Sequence, residues 1–184
     1  MRLFIAVELT DEVIKNMVEM INELKETGAA VKWVEASNLH VTMKFLGWVE
    51  DRKIDNVIEL ASKAAAGTGG FKIKLEGTGT FPPGKSPRVL WVGITEGGDK
   101  LGKIAVSLEE NLSRAGYRSE EREFSSHVTI GRIKNNEGVD KLKEKIGRYK
   151  DTGFGEAWID SIAIMKSTLT PRGPVYEKIK EVKL

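Results

Sequence analysis

The 184-residue sequence predicts a fold of mixed α and β structure built from two similar lobes. Two observations lead to this prediction. Both halves of the chain alternate β-favouring runs with amphipathic helical stripes. Each half also contains one copy of a short phrase, since residues 40–43 read His-Val-Thr-Met and residues 127–130 read His-Val-Thr-Ile. One copy in each half indicates a duplicated unit arranged about a pseudo-two-fold axis.

The first half of the chain is predicted to contain five strands and two helices. Thr10 offers an N-cap for the first helix, whose apolar residues repeat at helical spacing until Gly28 ends it. A second helix begins at Asp51 and runs into a glycine-rich loop. The strands are predicted over Leu3–Leu9, Val31–Val34, Leu39–Leu46, Phe71–Leu75 and Val89–Ile94.

The second half repeats the same kinds of element. A third helix carries an apolar stripe over Leu101–Leu112, and a short fourth helix is predicted over Val139–Ile146. The strands are predicted over His127–Ile133, Trp158–Met165 and Val175–Val182. No linker divides the chain, so residues 1–184 are expected to form a single domain made of two intertwined lobes.

The composition limits the possible functions. With 29 basic and 27 acidic side chains the net charge is only +2, so any contact with nucleic acid should be local. The absence of cysteine excludes disulfides, thiolate nucleophiles and cysteine-ligated metals. No apolar run approaches membrane-spanning length, which predicts a cytoplasmic protein without membrane contact. Abundant Lys and Glu together with no glutamine resemble a thermophile composition.

The two phrases place polar groups together. Side chains at i and i+2 of a strand share a face, so His40 should project with Thr42, and His127 with Thr129. The intervening apolar residues of the first strand are predicted to pack into a core on the opposite face: Val41, Met43 and Phe45. If the two strands lie across a groove, two imidazoles and two hydroxyls converge on one point.

Such a cluster suits proton transfer at a phosphate. One histidine can accept a proton from water while the other donates a proton to a leaving oxygen, and threonine hydroxyls can donate to phosphoryl oxygens. This arrangement needs no metal, and two histidines alone are few ligands for a metal ion. A single His-x-Thr is more often structural than functional. The doubling, in a chain with only two histidines, favours function.

The phrases resemble those of a known superfamily. Residues 40–47 (His-Val-Thr-Met-Lys-Phe-Leu-Gly) and 124–132 (Phe-Ser-Ser-His-Val-Thr-Ile-Gly-Arg) are similar to the paired motifs of the 2H phosphoesterases. The resemblance is closest to the archaeal and bacterial RNA 2′,3′-cyclic phosphodiesterases, also called 2′-5′ RNA ligases. It extends to residues 2–7, 88–93 and 167–176. In one departure, Ser126 stands where that family often has proline, which affects the path of the entering chain but not the chemistry.

The resemblance implies an α+β fold with two pseudo-symmetric antiparallel lobes, outer helices and a central cleft. It also implies metal-independent, cofactor-free hydrolysis of an RNA or nucleotide 2′,3′-cyclic phosphate to a 2′-phosphomonoester. His40 would be the proton donor to the 3′ oxygen and His127 the proton acceptor from water, while Thr42 and Thr129 would bind the phosphoryl oxygens. The residues alone do not say which histidine plays which role. The same site could catalyse, as a reverse activity, ATP-independent 2′-5′ RNA ligation.

Two alternatives remain open at this point. The first is a non-catalytic module that binds RNA ends through its histidines. The second is a 2H phosphodiesterase for another cyclic phosphate, such as a cyclic nucleotide or an ADP-ribose cyclic phosphate. In each case we expect a monomer whose partners are small ligands or RNA ends.

Several flanking residues admit two interpretations. Arg132 has the planar donor set that suits phosphate, but strict alternation sends it to the face opposite His127 unless the strand bulges at Gly131. Alternation places Lys44 on the face of His40, although a solvated lysine would serve equally well. Phe45 and Trp33 could stack a base, but core packing is favoured for both.

Two further segments attract attention by composition. Arg118 and Arg122 could form a basic lip for RNA, although the acidic residues between them are typical of an ordinary charged loop. Residues 79–86 (Gly-Thr-Phe-Pro-Pro-Gly-Lys-Ser) match the Walker A pattern. Pro82 and Pro83 lack the N–H donors such a loop uses, and Pro87 leads into an extended strand. We therefore predict a surface loop here and no ATP binding.

Overall fold

The computed structural model describes residues 1–184 and contains nine strands and four α-helices. In chain order the strands are β1 (Arg2–Glu8), β2 (Val31–Trp33), β3 (His40–Trp48), β4 (Phe71–Phe81), β5 (Val89–Glu96), β6 (His127–Ile133), β7 (Gly153–Ile159), β8 (Ser161–Thr170) and β9 (Gly173–Lys183). The helices are α1 (Asp11–Lys25), α2 (Ile54–Ala65), α3 (Gly98–Arg114) and α4 (Val139–Gly147). None of the helices is long and apolar enough to span a membrane.

All strand pairings are antiparallel, and the two strands that carry the histidines lie in the middle of the sheet. The strand order is β7-β4-β5-β6-β3-β1-β8-β9, with β2 paired to β6 outside this path. Three strands therefore lie beyond β6 and three beyond β3. The predicted α+β fold with two antiparallel lobes is confirmed.

The helices cover one face of the sheet. Helices α2 and α3 pack on each other and on β9 and β3, while α1 packs on β7 and α4 on β4. The apolar stripe of α1 is buried as its spacing predicts, and Thr10 accepts a hydrogen bond from the Val13 N–H at the helix start. Burial of each large aliphatic side chain contributes roughly 1.5–3 kcal/mol. The opposite face of the sheet is left to line a cleft.

One predicted strand is wrong. Residues 158–165 do not form a single strand, because the chain leaves β7 at Ile159 and enters β8 at Ser161. Strand β7 is an edge of the sheet, whereas β8 lies in the other half. Only Asp160 separates the two strands, and β-favouring residues on both sides of it conceal the crossing.

The Walker-like segment lies in a strand and an exposed loop. Its first three residues complete β4, which extends to Phe81 and not only to Leu75 as predicted. Residues 82–88 then connect β4 to β5, and no helix follows them. The segment therefore lacks the helix N-terminus on which a phosphate-binding loop depends.

Each histidine strand contains a bulge one residue after its threonine. In β3, Thr42 pairs with Ala6 and Lys44 with Ile5, so Met43 is an extra residue. In β6, Thr129 pairs with Trp91 and Gly131 with Leu90, so Ile130 is the extra residue. An extra residue shifts the alternation of side chains by one position. Residues beyond each bulge therefore face the side opposite to that expected from strict alternation.

The bulges correct two expectations, on Phe45 and Lys44, and decide a third point that was left open, on Arg132. Phe45 does not pack in the core but is 51% exposed, and its ring lies 6.2 Å from that of Phe4. Lys44 is 2% exposed and binds Glu109 of α3. It is therefore not solvated, and it does not lie on the face of His40. The bulge that was the condition for a site-facing Arg132 is present. Trp33 packs against the core, as predicted.

Candidate active site

The two histidine phrases meet at the centre of the sheet. Val41 of β3 pairs with Val128 of β6, and both valines are fully buried. Continuing this antiparallel register by one residue in each direction sets His40 across from Thr129, and Thr42 across from His127. Directly opposed residues have Cβ atoms about 4.5–5.5 Å apart and diagonal neighbours about 7–8 Å. Alternation then places all four polar side chains on the face opposite the valines.

Each imidazole is oriented by a backbone carbonyl two residues earlier. His40 Nδ1 lies 2.7 Å from the carbonyl oxygen of Asn38, and His127 Nδ1 lies 2.7 Å from that of Ser125. Because a carbonyl oxygen only accepts, Nδ1 carries the hydrogen in both rings. Nε2 is therefore the nitrogen that gains or loses a proton in each histidine.

The surroundings of His40 hold its ring tightly. Its Nε2 lies 2.8 Å from Thr42 Oγ1. The rings of Phe4 and Tyr176 lie 5.0 and 5.5 Å from the imidazole, centroid to centroid. The side-chain amide of Asn38 donates to the carbonyl of Pro174 at 2.9 Å, which ties the turn before β3 to the β8–β9 hairpin.

The surroundings of His127 are more open. The ring of Phe81 meets the imidazole edge-on at a centroid distance of 5.1 Å. Beyond it lies a cleft of about 420 Å³, lined by residues of β4, β5 and the segment that enters β6. His127 is therefore the histidine with space beside it.

Both histidines favour the neutral state in the free protein. Burial lowers the pKa of His40 below 6.5, a positive charge on His127 lowers this pKa further, and the hydrogen bond to Asn38 partly opposes the shift. Burial likewise lowers the pKa of His127, and the charge of Arg132 adds to this effect against the hydrogen bond to Ser125. The effect of the His127 charge on the pKa of His40 places the two rings within electrostatic reach of each other.

Two arginines lie within electrostatic range of side chains around the site. The charges of Arg132 and Arg2 lower the pKa of Tyr176, although burial of the phenol outweighs them and raises this pKa overall. Arg132 is thus close enough to act on both His127 and Tyr176, one on each side of the site. A positive field here suits a phosphate.

Other polar groups are not drawn into this cluster. Arg118 and Arg122 are exposed on the segment before β6, and the backbone carbonyl of Arg118 accepts from Lys44 at 2.9 Å. No group of three or more His, Asp or Glu side chains could hold a metal ion.

Several site neighbours carry no local signal in the sequence. Phe4 and Tyr176 reach His40 from the two ends of the chain, and Phe81 reaches His127 from β4. Long-range strand order creates these contacts. The residues two positions before each histidine orient the ring through a backbone carbonyl in both copies, and a backbone group leaves no signal in the sequence.

Comparison with known proteins assigns the chain to a family. A family model described as the 2′-5′ RNA ligase superfamily matches residues 11–170. A protein of Methanocaldococcus jannaschii named RNA 2′,3′-cyclic phosphodiesterase is 40% identical over 181 residues, covering 98% of this chain and 99% of that protein. A protein of Thermotoga maritima with the same name is 38% identical over 183 residues, covering 98% and 94%.

Solved structures share the fold. TT0787 of Thermus thermophilus superposes with a TM-score of 0.83 and 27% identity, over 100% of this chain and 98% of that one. LigT of E. coli in its apo form gives a TM-score of 0.77 at 23% identity, over 99% and 96%, and supports the fold alone. The chain belongs to the 2′-5′ RNA ligase superfamily, and the resemblance of its paired phrases to the 2H phosphoesterases is confirmed.

Proposed function

We propose that this protein hydrolyses 2′,3′-cyclic phosphate ends of RNA or nucleotides to 2′-phosphomonoesters without a metal ion. The observation that carries the proposal is the pair of imidazoles on one sheet face, each with Nδ1 bound to a carbonyl, which leaves Nε2 as the nitrogen that exchanges a proton. The shared name of the Methanocaldococcus and Thermotoga relatives supports the substrate class.

The proposed mechanism divides the work between the two histidines. Nε2 of His127 accepts a proton from water while the water oxygen attacks phosphorus. The bond from phosphorus to the 3′ oxygen breaks, and that oxygen receives a proton from Nε2 of His40. Thr42, Thr129 and Arg132 bind the non-bridging oxygens and stabilise the charge that develops on them. Exchange with solvent then returns both imidazoles to their starting states.

Ligation uses the same roles. A 5′-hydroxyl takes the place of water, so His127 still accepts a proton and His40 still donates one. The two histidines exchange roles only when a 2′-5′ linkage is cleaved. No ATP is needed, because one phosphoester bond replaces another. We further propose that the protein acts on RNA ends as a cytoplasmic monomer, and its net charge of +2 is consistent with short contacts.

The direct test is incubation of the purified protein with an oligonucleotide ending in a 2′,3′-cyclic phosphate, in the presence of EDTA. The expected product is heavier by one water and carries its phosphate on the 2′ oxygen. Unchanged substrate, a 3′-phosphate or strict metal dependence would contradict the proposal. Tight, salt-sensitive binding without turnover would favour the RNA-end binding module. Competition with other small cyclic phosphates tests the remaining alternative.

A further inference from the structure

The RNA chain lies on the His40 side of the site if the two histidines act as proposed. The 2′ and 3′ oxygens of a cyclic phosphate belong to one ribose, and the 3′ oxygen takes its proton from His40. The attacking water is in line with this leaving oxygen and therefore enters on the side of His127. The terminal ribose, and the chain attached to its 5′ oxygen, are thus directed towards β3 and the strands beyond it.

Strands β1 and β3 present aromatic side chains on this side. Strand β1 runs without an extra residue, and its odd-numbered residues lie in the core. Arg2 and Phe4 therefore project from the opposite face, on which the ring of Phe4 lies 5.0 Å from that of His40. Phe45 pairs with Phe4, and Trp48 pairs with Arg2. Because directly paired residues of antiparallel strands share a face, Phe45 and Trp48 belong to the same surface.

Two of these rings are open to solvent. Trp48 is 81% exposed and Phe45 is 51% exposed, whereas Phe4 is buried. The ring of Phe4 lies between them and the site, 6.2 Å from Phe45 and 5.0 Å from His40. A row of rings therefore leads from the proposed acid to an exposed indole at the end of β3. Exposed apolar surface that adjoins a functional site is typical of a contact with a ligand.

The charges on this surface suit a nucleic acid. Arg2 is exposed beside Trp48 and takes part in none of the ion pairs of the protein. Glu8, at the other end of the same face of β1, is neutralised by Lys178. A free guanidinium binds phosphate, and an aromatic ring stacks bases with little dependence on their identity. The surface thus combines the two kinds of group that bind single-stranded RNA.

We propose that Trp48 and Arg2, together with Phe45, bind the nucleotides that precede the cyclic-phosphate end, so that the protein prefers oligoribonucleotides to cyclic mononucleotides. This inference rests on the proposed function, with His40 on the side of the leaving oxygen. Phe45 and Trp48 are three residues apart on β3, a distance of about 10 Å along a strand. The two rings therefore serve neighbouring bases, and Arg2 binds the phosphate of the chain beside Trp48.

The test compares substrates of different length. Rates are measured with a 2′,3′-cyclic mononucleotide and with oligonucleotides that end in the same cyclic nucleotide. In the wild type, kcat/KM should rise with the first added nucleotides and then level off. Trp48→Ala should lower the ratio of kcat/KM for the oligonucleotide to that for the mononucleotide about tenfold, since it removes a stacking surface. Trp48→Phe, which keeps an aromatic ring, should recover part of this ratio.

Matched variants separate this surface from general effects. Trp158→Ala should leave the ratio unchanged, because Trp158 is 65% exposed on the edge strand β7. Arg2→Gln should make kcat/KM for the oligonucleotide less dependent on salt, by about one phosphate contact. Arg148→Gln is the control for this change, since Arg148 is exposed and pairs with Glu144 outside the site.

The outcomes distinguish the inference from the proposed function. A wild-type ratio near one, or the same ratio in Trp48→Ala as in the wild type, would overturn the inference and leave the proposed function standing. An unchanged ratio together with a dimer that Trp48→Ala dissociates would assign the surface to a second copy of this chain. Failure of the wild type to hydrolyse either substrate would instead refute the function itself.

Discussion

Strands β3 and β6 are built alike around their histidines and differently beyond them. In both, Nδ1 of the histidine binds a carbonyl two residues earlier, and the next residue is a fully buried valine. In both, a bulge follows the threonine. The repeated phrase thus encodes a unit that presents one Nε2 and one hydroxyl on a common face.

Beyond the bulge the two strands diverge. Lys44 of β3 occupies the position that Gly131 occupies in β6, and its ammonium group binds the carboxylate of Glu109. At Gly131 a Cβ atom would lie 2.8 Å from the side chain of Val31. Glycine at this position therefore allows β2 to pair with the part of β6 beyond the bulge. The corresponding part of β3, beyond its bulge, is covered by the segment before β6. There the carboxylate of Glu120 accepts a hydrogen bond from the Phe45 N–H at 2.9 Å.

The two rings also differ in what surrounds them. His40 is enclosed by Phe4, Tyr176 and Thr42, whereas His127 borders an open cleft. The duplicated sequence therefore sets the orientation of each imidazole. The non-duplicated surroundings make one ring enclosed and the other open.

The largest expected effect comes from removing either imidazole. His40→Ala and His127→Ala should each lower kcat about 10²–10⁴-fold, the contribution of a positioned acid or base. The double variant should be little worse than either single variant, because the two groups act as one unit. Kinetics on a cyclic-phosphate oligonucleotide measure this, with circular dichroism to confirm folding. A single variant with wild-type activity would refute the two-histidine mechanism.

The threonines provide the next test. Thr42→Val and Thr129→Val keep the side-chain shape but remove a hydroxyl donor, and each should lower kcat up to about 10²-fold. If β3 and β6 are functionally equivalent in this respect, the two losses should be similar. Thr168→Val, at an exposed position on β8, is the matched control. Wild-type kinetics for both site variants would show that the hydroxyls do not contact the phosphoryl group.

The sequence predicts the two dyads because alternation holds over the first three residues of each phrase. It fails at Lys44 and Phe45, since the bulge at Met43 depends on how β3 pairs with β1. The placement of Arg132 likewise depends on pairing between β6 and β5. Tyr176 reaches His40 only through the order of β3, β1, β8 and β9 in the sheet. Local pattern contains none of this non-local information.

Arg132 tests whether the bulge in β6 serves substrate binding. Arg132→Ala should raise KM about tenfold, since it removes a charged hydrogen-bond donor from an exposed part of the site. Arg132→Lys should restore part of the loss, because it keeps the charge without the planar fork. The control is Arg148→Ala, whose exposed side chain pairs with Glu144 outside the site. An unchanged KM would show that Arg132 does not bind the substrate.

Substitution of Lys44 tests how the segment before β6 is held against β3. Lys44→Met keeps most of the volume but leaves the carbonyl of Arg118 without its donor, and should lower the free energy of unfolding by about 1–2 kcal/mol. The value is modest because Glu109 is partly exposed and its charge is screened. Lys72→Met removes an exposed, solvent-screened pair with Glu156 and should change the free energy of unfolding less than Lys44→Met does. Urea titrations compare the two; equal, negligible shifts would show that Lys44 does not secure this edge.

The most direct measurement of the central claim is the pH dependence of kcat/KM in the wild type and in the two histidine variants. His127 must be neutral to accept a proton, so activity rises with pH through its pKa; His40 must be charged, so activity falls as pH rises through its pKa. Burial lowers both pKa values below 6.5 in the free protein.

The two-histidine mechanism therefore gives a bell-shaped profile with its optimum below about pH 6.5. The optimum of kcat should lie higher, because a bound phosphate anion raises both pKa values. His127→Ala should lose the limb at low pH and His40→Ala the limb at high pH. A flat wild-type profile, or loss of the same limb in both variants, would contradict the assignment of one histidine as acid and the other as base.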